Sequence, residues 1–172
     1  MIDNLTMRRV LGHYPTGVVV IAAMSGGEPH GFTVNSFTSV SLDPPIVSFC
    51  AAHTSSTWPH IREAGSFTIS LLSVGQAEVC RSFATKGADR FAGVDWSLKG
   101  GGHPAITGAL AWIDCVLEAS HVVGDHELAL ARVTALTTGE GDSGPLVFHR
   151  GSLHRVCADA LHAPCRTLQP VS

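Results

Sequence analysis

Apolar positions along this chain come in short runs, separated by glycine, proline and small polar residues. Residues 18–24 form an unbroken, β-branched apolar run typical of a buried strand. A turn over residues 25–29 predicts that the next strand, 31–37, pairs antiparallel with it. Residues 40–42 stay extended up to Asp43-Pro44-Pro45, and 46–51 read as a third core strand. Residues 67–72 alternate Thr68 and Ser70 with apolar neighbours and give a fourth. Long strands are expected over 109–123 and 127–136, turned by Gly124-Asp125-His126, with shorter ones over 146–149 and 153–156.

Helical spacing is confined to three short stretches. Residues 5–11 are amphipathic, opened near Asp3 or Asn4 and stopped by Gly12. Residues 57–64 have hydroxyls at their start, Pro59 in the first turn and Gly65 just past the end. Ser73 is placed to cap a helix running through 79–83. Residues 86–91 read as a loop, and 94–108, with Gly100-Gly101-Gly102, as an irregular excursion over the surface. The pattern is mainly β with short helices, which favours an antiparallel Greek-key barrel over a βαβ fold. No repeat or linker divides the 172 residues, so one domain spans 1–172, with a core at about 8–156 and a loosely held tail over 157–172.

Composition narrows the classes. The mean hydropathy of +0.24 and low charge suit a compact chain with a buried subunit face. A net charge of −3 without a Lys/Arg cluster argues against nucleic acid as a partner, and no apolar run reaches bilayer length, so no membrane is expected. Five dispersed cysteines without a CxxC pair point to a reducing, cytoplasmic setting. Ten histidines raise the question of a metal, but neither HExxH nor a tight Cys/His spacing is present. His121 with His126, or His149 with His154, remain as pairs that can meet in space; the expectation is no metal site.

Two motifs tempt and fail. The run from Gly139 to Gly144 matches GxGxxG, but Pro145-Leu146-Val147-Phe148 after it reads as a strand where a dinucleotide fingerprint needs a helix. The same loop, with His53 and Asp95 or Asp114, places a possible Ser143 triad in chymotrypsin order. Ser143 lacks the second following glycine, and the chain after it is short for the rest of such a fold. A serine hydrolase is kept only as a remote alternative.

The stretch HGFTVNSFTSVSLDPPIVSFCAAHTSSTW, residues 30–58, carries the remaining chemistry. Thr33, Asn35 and Ser36 place hydrogen-bonding groups where a core strand would be apolar, and Ser55, Ser56 and Thr57 precede a helix start, where free N–H groups and the dipole favour an anion. A phosphorylated cofactor accounts for both features; a plain hairpin followed by an ordinary helix cap is the alternative.

Together with Arg9-Val10-Leu11-Gly12 through Pro15-Thr16-Gly17-Val18, Gly31 through Phe37, Ser39 through Pro45, Ser55-Ser56-Thr57-Trp58, Asp89-Arg90-Phe91-Ala92-Gly93, Gly124-Asp125-His126 and Pro145 through Gly151, the chain resembles the flavin reductase family over residues 8–153. These are small NAD(P)H:flavin oxidoreductases that serve two-component monooxygenases. The resemblance implies an FMN-binding split barrel, a homodimer, FMN or FAD as flavin, and NADH or NADPH as hydride donor to flavin N5. It also implies that reduced flavin passes to a flavin-dependent monooxygenase component. It places Thr33, Val34, Asn35 and Ser36 at the isoalloxazine edge, Cys50, Ala51 and Ala52 along the ribityl chain, and Ser55, Ser56, Thr57 and Arg90 at the phosphate. Phe91 packs on the flavin or fills core, and His126 lies beside the nicotinamide as the catalytic candidate.

The chain departs from its relatives at Ser152-Leu153-His154, where many carry an aromatic. Leu153 therefore keeps two rivals open: a split-barrel flavin binder without nicotinamide turnover, or one that oxidises or oxygenates an organic substrate directly.

Overall fold

The structure, a computed structural model, describes residues 2–141 and 143–156. Among them are helices α1 (Asn4–Leu11), α2 (Trp58–Ala64) and α3 (Ala77–Ala84), and strands β1 (Thr16–Gly17), β2 (Val19–Ser25), β3 (Glu28–Val34), β4 (Thr38–Leu42) and β5 (Pro45–Ala52). Then follow β6 (Ser66–Leu71), β7 (Trp96–Leu98), β8 (Pro104–Ile106), β9 (Ala111–Val123), β10 (His126–Thr138), β11 (Leu146–His149) and β12 (Ser152–Arg155). The expected tail over 157–172 lies outside the described residues.

The main sheet has the order β3-β2-β6-β9-β10-β5-β4, with every pair antiparallel. After β2 and β3 pair, the chain builds β4 and β5 at the other end of the sheet and returns β6 beside β2, a Greek-key path rather than a meander. The end strand β3 and strand β5, next to the other end, meet through a side chain instead of a ladder. Ser36 Oγ, just past β3, accepts from the Cys50 N–H at 2.9 Å and donates to its carbonyl at 3.4 Å. That is the split in the barrel. A smaller sheet, β1-β11-β12, stands beside it.

The unbroken apolar run in β2 has a simple cause: both of its faces are buried. Val19, Ile21 and Ala23 enter one core with Phe49, Trp58, Phe67 and Ile69; Val18, Val20 and Ala22 enter a second with Leu72, Phe83, Ile106 and Leu146. In the first core Phe49 meets Trp58 and Phe67 edge-on at 5.5 and 5.6 Å, pairs that add about 0.5–1.5 kcal/mol each beyond their buried area. In the second, α3 lies close on β3. A Cβ at Gly31 would sit 2.6 Å from the Phe83 ring, so glycine is what lets that helix approach.

Two local expectations change. Residues 94–108 are not a surface excursion: β7 and β8 pair there, Ala105 is buried, and Ile106 is fully buried in the second core. The alternation is only three residues long on each strand and the triple glycine masks it. The 31–37 strand ends at Val34, and the backbone bends at Asn35 before β4 begins. Gly12 closes α1 as expected, in right-handed geometry, and Asp3 caps the other end by accepting from Thr6 N–H at 2.8 Å. The GxGxxG run leads into β11, not a helix, and Gly139 is needed for a different reason: a Cβ there would lie 2.3 Å from the Ala109 carbonyl.

Candidate active site

A cleft of about 330 Å³ opens where the end of β3, the outer face of β5, the loop before α2, the end of α3 and the start of β10 converge. It is lined by Thr33, Val34, Asn35 and Ser36, by Cys50 and Ala52, by Ser55 and Ser56, and by Arg90 and His126. Strand alternation decides which residues of β5 take part. Phe49 and Ala51 turn into the core, so Cys50 and Ala52 face out.

Most polar groups on the β3 side already have protein partners. Thr33 Oγ1 donates to the Cys80 carbonyl of α3 at 3.0 Å, and Ser36 Oγ is taken by Cys50. Their side chains therefore shape the wall, and what they offer a ligand is backbone. Asn35 is exposed, and among the described residues its carboxamide has no hydrogen-bond partner.

At the other end, Ser55 Oγ accepts from Thr57 N–H at 3.3 Å and Trp58 N–H at 3.1 Å, so it closes the first turn of α2. Its own O–H remains to be donated. Arg90 Nη1 donates to the Gly31 carbonyl at 2.8 Å and to Thr57 Oγ1 at 2.6 Å, and Nε donates to the Thr85 carbonyl at 3.0 Å. This fork pins the guanidinium between β3, α2 and the loop after α3, and Nη2 has no protein acceptor among the described residues. Burial lowers the arginine's pKa, yet the group keeps its proton. A fixed cation beside a hydroxyl donor and a helix start suits a phosphate; the free carboxamide of Asn35 suits a polar ring edge. The donor set therefore fits a phosphorylated flavin.

His126 opens β10 opposite Ala52. Its Nδ1 lies 2.7 Å from Asp125 Oδ1, a bond that pulls the aspartate's pKa down and leaves Nε2 as the ring's other polar atom.

Three expected site residues stand off the cleft wall. Ala51 is buried in the first core because of its strand parity. Thr57 is buried and serves as acceptor for Arg90. Phe91 packs edge-on against Phe83 at 4.8 Å and Trp96 at 5.4 Å, filling core. Conversely, Phe32, Thr54, Phe83, Ala84 and Lys86 line the cleft without having been expected there. Lys86 had a signal, a lone cation four residues before Arg90; Phe83 and Ala84 depend on how α3 packs.

The remote triad does not assemble. Asp114 accepts from Thr68 Oγ1 at 2.6 Å, and His53, Asp114 and Ser143 share no hydrogen bond among the described residues. A different serine and histidine do meet: Ser66 Oγ and His103 Nε2 lie 2.7 Å apart. His103 Nδ1 accepts from Met24 N–H at 3.2 Å, so the neutral ring carries its proton on Nε2 and has no lone pair with which to activate Ser66. His149 and His154 approach to 5.9 Å between ring centroids, and no group of three His, Cys, Asp or Glu side chains suited to a metal gathers among the described residues. Leu153 packs against the second core and borders a separate cleft of about 350 Å³ that shares no lining residue with the first. Among the described residues no helix is long and apolar enough to cross a membrane.

Comparison with known proteins supplies the family. The flavin reductase like domain family matches residues 11–156, and the chain belongs to that family. It is 44% identical over 151 residues to a flavin reductase of Pseudomonas putida, covering 87% of this chain and 88% of that one. It is 42% identical over 150 residues to the flavin-dependent monooxygenase reductase subunit HsaB of Rhodococcus jostii, covering 87% and 76%. Among solved structures, the Streptomyces globisporus NADH:FAD oxidoreductase SgcE6 in complex with NAD and FAD fragments superposes with a TM-score of 0.86 at 37% identity, covering 92% of this chain and 95% of that one. The split-barrel fold and the oxidoreductase class follow from these relatives.

Proposed function

We propose that this protein is an NAD(P)H-dependent flavin reductase that supplies reduced FMN or FAD to a partner flavin-dependent monooxygenase. The observation that carries the reading is the single cleft in which a fixed guanidinium, a free serine O–H, a free carboxamide and a histidine converge. Arg90, Ser55 and Ser56 hold the phosphate, Asn35 and the backbone of Thr33 to Ser36 hold the ring edge, and the small side chains of Cys50 and Ala52 admit the ribityl chain. The bound flavin supplies a two-electron acceptor for the hydride of a reduced nicotinamide. The protein's own task is positioning: His126, oriented by Asp125, borders the face on which the nicotinamide docks. Leu153 lines no part of this cleft, which supports the reductase reading over the rivals it had kept open.

The whole chain works as one domain, as a homodimer, in a reducing cytoplasm. The dimer reading is supported by α1, which buries none of its residues, and by exposed Leu5, Val10, Val40 and Leu42. A monomeric mass in sedimentation equilibrium would remove it. The compartment is supported by Cys50, Cys80 and Cys115, which are free thiols.

Steady-state oxidation of NADH and NADPH with FMN, FAD and riboflavin tests the activity. Turnover that depends on added flavin is expected with at least one nicotinamide. Flavin binding without such turnover would favour the non-reductase split-barrel reading.

A further inference from the structure

Glu127 is a carboxylate placed where strand parity calls for an apolar side chain. It shares the inward face of β10 with Ala129 and Ala131, which are fully buried, and stands opposite Ala51 of β5. Only 14% of its side chain is exposed. Three donors from two other elements converge on it. Trp58 Nε1, at the first residue of α2, donates to Oε2 at 2.9 Å, and Ser120 Oγ of β9 donates to the same oxygen at 2.5 Å. Arg62 Nη1 of α2 reaches both carboxylate oxygens at 3.0 and 3.1 Å. These donors, with Ser120 and Trp58 foremost, pull the carboxyl's pKa down despite its desolvation.

The neighbours of these atoms in the chain are what matters. Glu127 follows His126, and Trp58 follows Thr57, the acceptor for Arg90. One carboxylate thus ties the strand that carries His126 to the helix start whose Thr57 holds Arg90. We infer that Glu127 is a positioning residue for the flavin phosphate: by holding the first turn of α2 against β9 and β10, it keeps Thr57, and through it Arg90, in register with the cleft. An apolar residue at this position would pack as well but would leave the Trp58 and Ser120 donors unpaired and α2 without its anchor. The inference rests on the phosphate assignment made above.

The test compares FMN with riboflavin, which lacks the phosphate, by quenching of flavin fluorescence in wild type, Glu127→Gln, Glu127→Ala and Trp58→Phe, with circular dichroism confirming the fold. Wild type is expected to bind FMN more tightly than riboflavin. In Glu127→Ala the affinity for FMN falls about tenfold while riboflavin shifts by less than about threefold, and Glu127→Gln recovers part of the difference because it still accepts from Trp58. Trp58→Phe, which keeps the ring and removes one N–H, moves the FMN-to-riboflavin ratio in the same direction and serves if the alanine variant does not fold. A wild-type preference that survives unchanged in the folded variants would overturn the role of Glu127 alone. Equal wild-type affinity for the two flavins would overturn the phosphate assignment, and this inference with it.

Discussion

Replacing Arg90 separates its two roles, because the same guanidinium braces the protein and faces the cleft. Arg90→Ala removes donors to Thr85, Gly31 and Thr57. Hydrogen bonds from charged groups contribute about 1.5–3 kcal/mol each when buried; two of the three here are part-buried and water can replace some of them, so the summed loss comes to about 2–4 kcal/mol. In a chain of this size that lowers Tm by about 5–12 °C. Loss of the cation at the phosphate costs a further charge-assisted contact, about 1.5–3 kcal/mol, or about 10- to 150-fold in Kd for FMN. Riboflavin, without a phosphate, is expected to stay within about threefold. Arg90→Lys keeps the charge but not the planar fork, so it should retain most of the Tm loss while recovering much of the FMN affinity. Thermal unfolding and flavin-fluorescence titrations on the three proteins decide the matter. If FMN and riboflavin weaken by the same factor in Arg90→Ala, the guanidinium is a brace only and the phosphate lies elsewhere.

Other perturbations follow from single contacts. His126→Ala should raise KM for NADH about tenfold and leave the Kd for flavin unchanged; unaltered NADH kinetics would make the histidine structural. Gly31→Ala forces the Phe83 ring away from β3, so its stability should fall as for an overpacked core, by about 1–3 kcal/mol and read as a lowered Tm; a wild-type Tm would mean that α3 moves freely. Glu127 has its carboxyl pKa held below the usual 4.5, so its contribution is complete above that value and is lost as pH falls through the lower folded-state pKa. Denaturant titrations of wild type and Glu127→Gln at acid pH should show the steeper decline in wild type; equal slopes would place the carboxylate in water.

Much of the architecture was legible because local pattern and tertiary context agree. The run over residues 18–24 reads as a buried strand and is one; Asp3 and Gly65 punctuate helices where expected, whereas Ser73 caps a short 3-10 turn, Val74–Gln76, ahead of α3. The β7–β8 hairpin was hidden because its strands are too short to show a period, and its burial depends on the second core, which no local signal reveals. The cleft was legible at the level of segments, less so at the level of atoms. Parity alone would have excluded Ala51 once β5 was known to be buried on one face. Whether Ser36, Thr33 and Ser55 point their hydroxyls at a ligand or at backbone is a three-dimensional question, as their bonds to Cys50, Cys80 and the α2 turn demonstrate. Glu127 was invisible for a related reason: a glutamate after a turn reads as exposed until α2 is folded over it.

The central claim is that a reduced nicotinamide delivers its hydride to a flavin held in this cleft. The most direct measurement is an anaerobic titration of the protein–flavin complex with NADH and, separately, with NADPH, following the oxidised-flavin absorbance. Complete bleaching with one equivalent of nicotinamide per flavin, and recovery on admitting oxygen, is the predicted result. A flavin that binds yet stays oxidised in the presence of both nicotinamides would contradict the account.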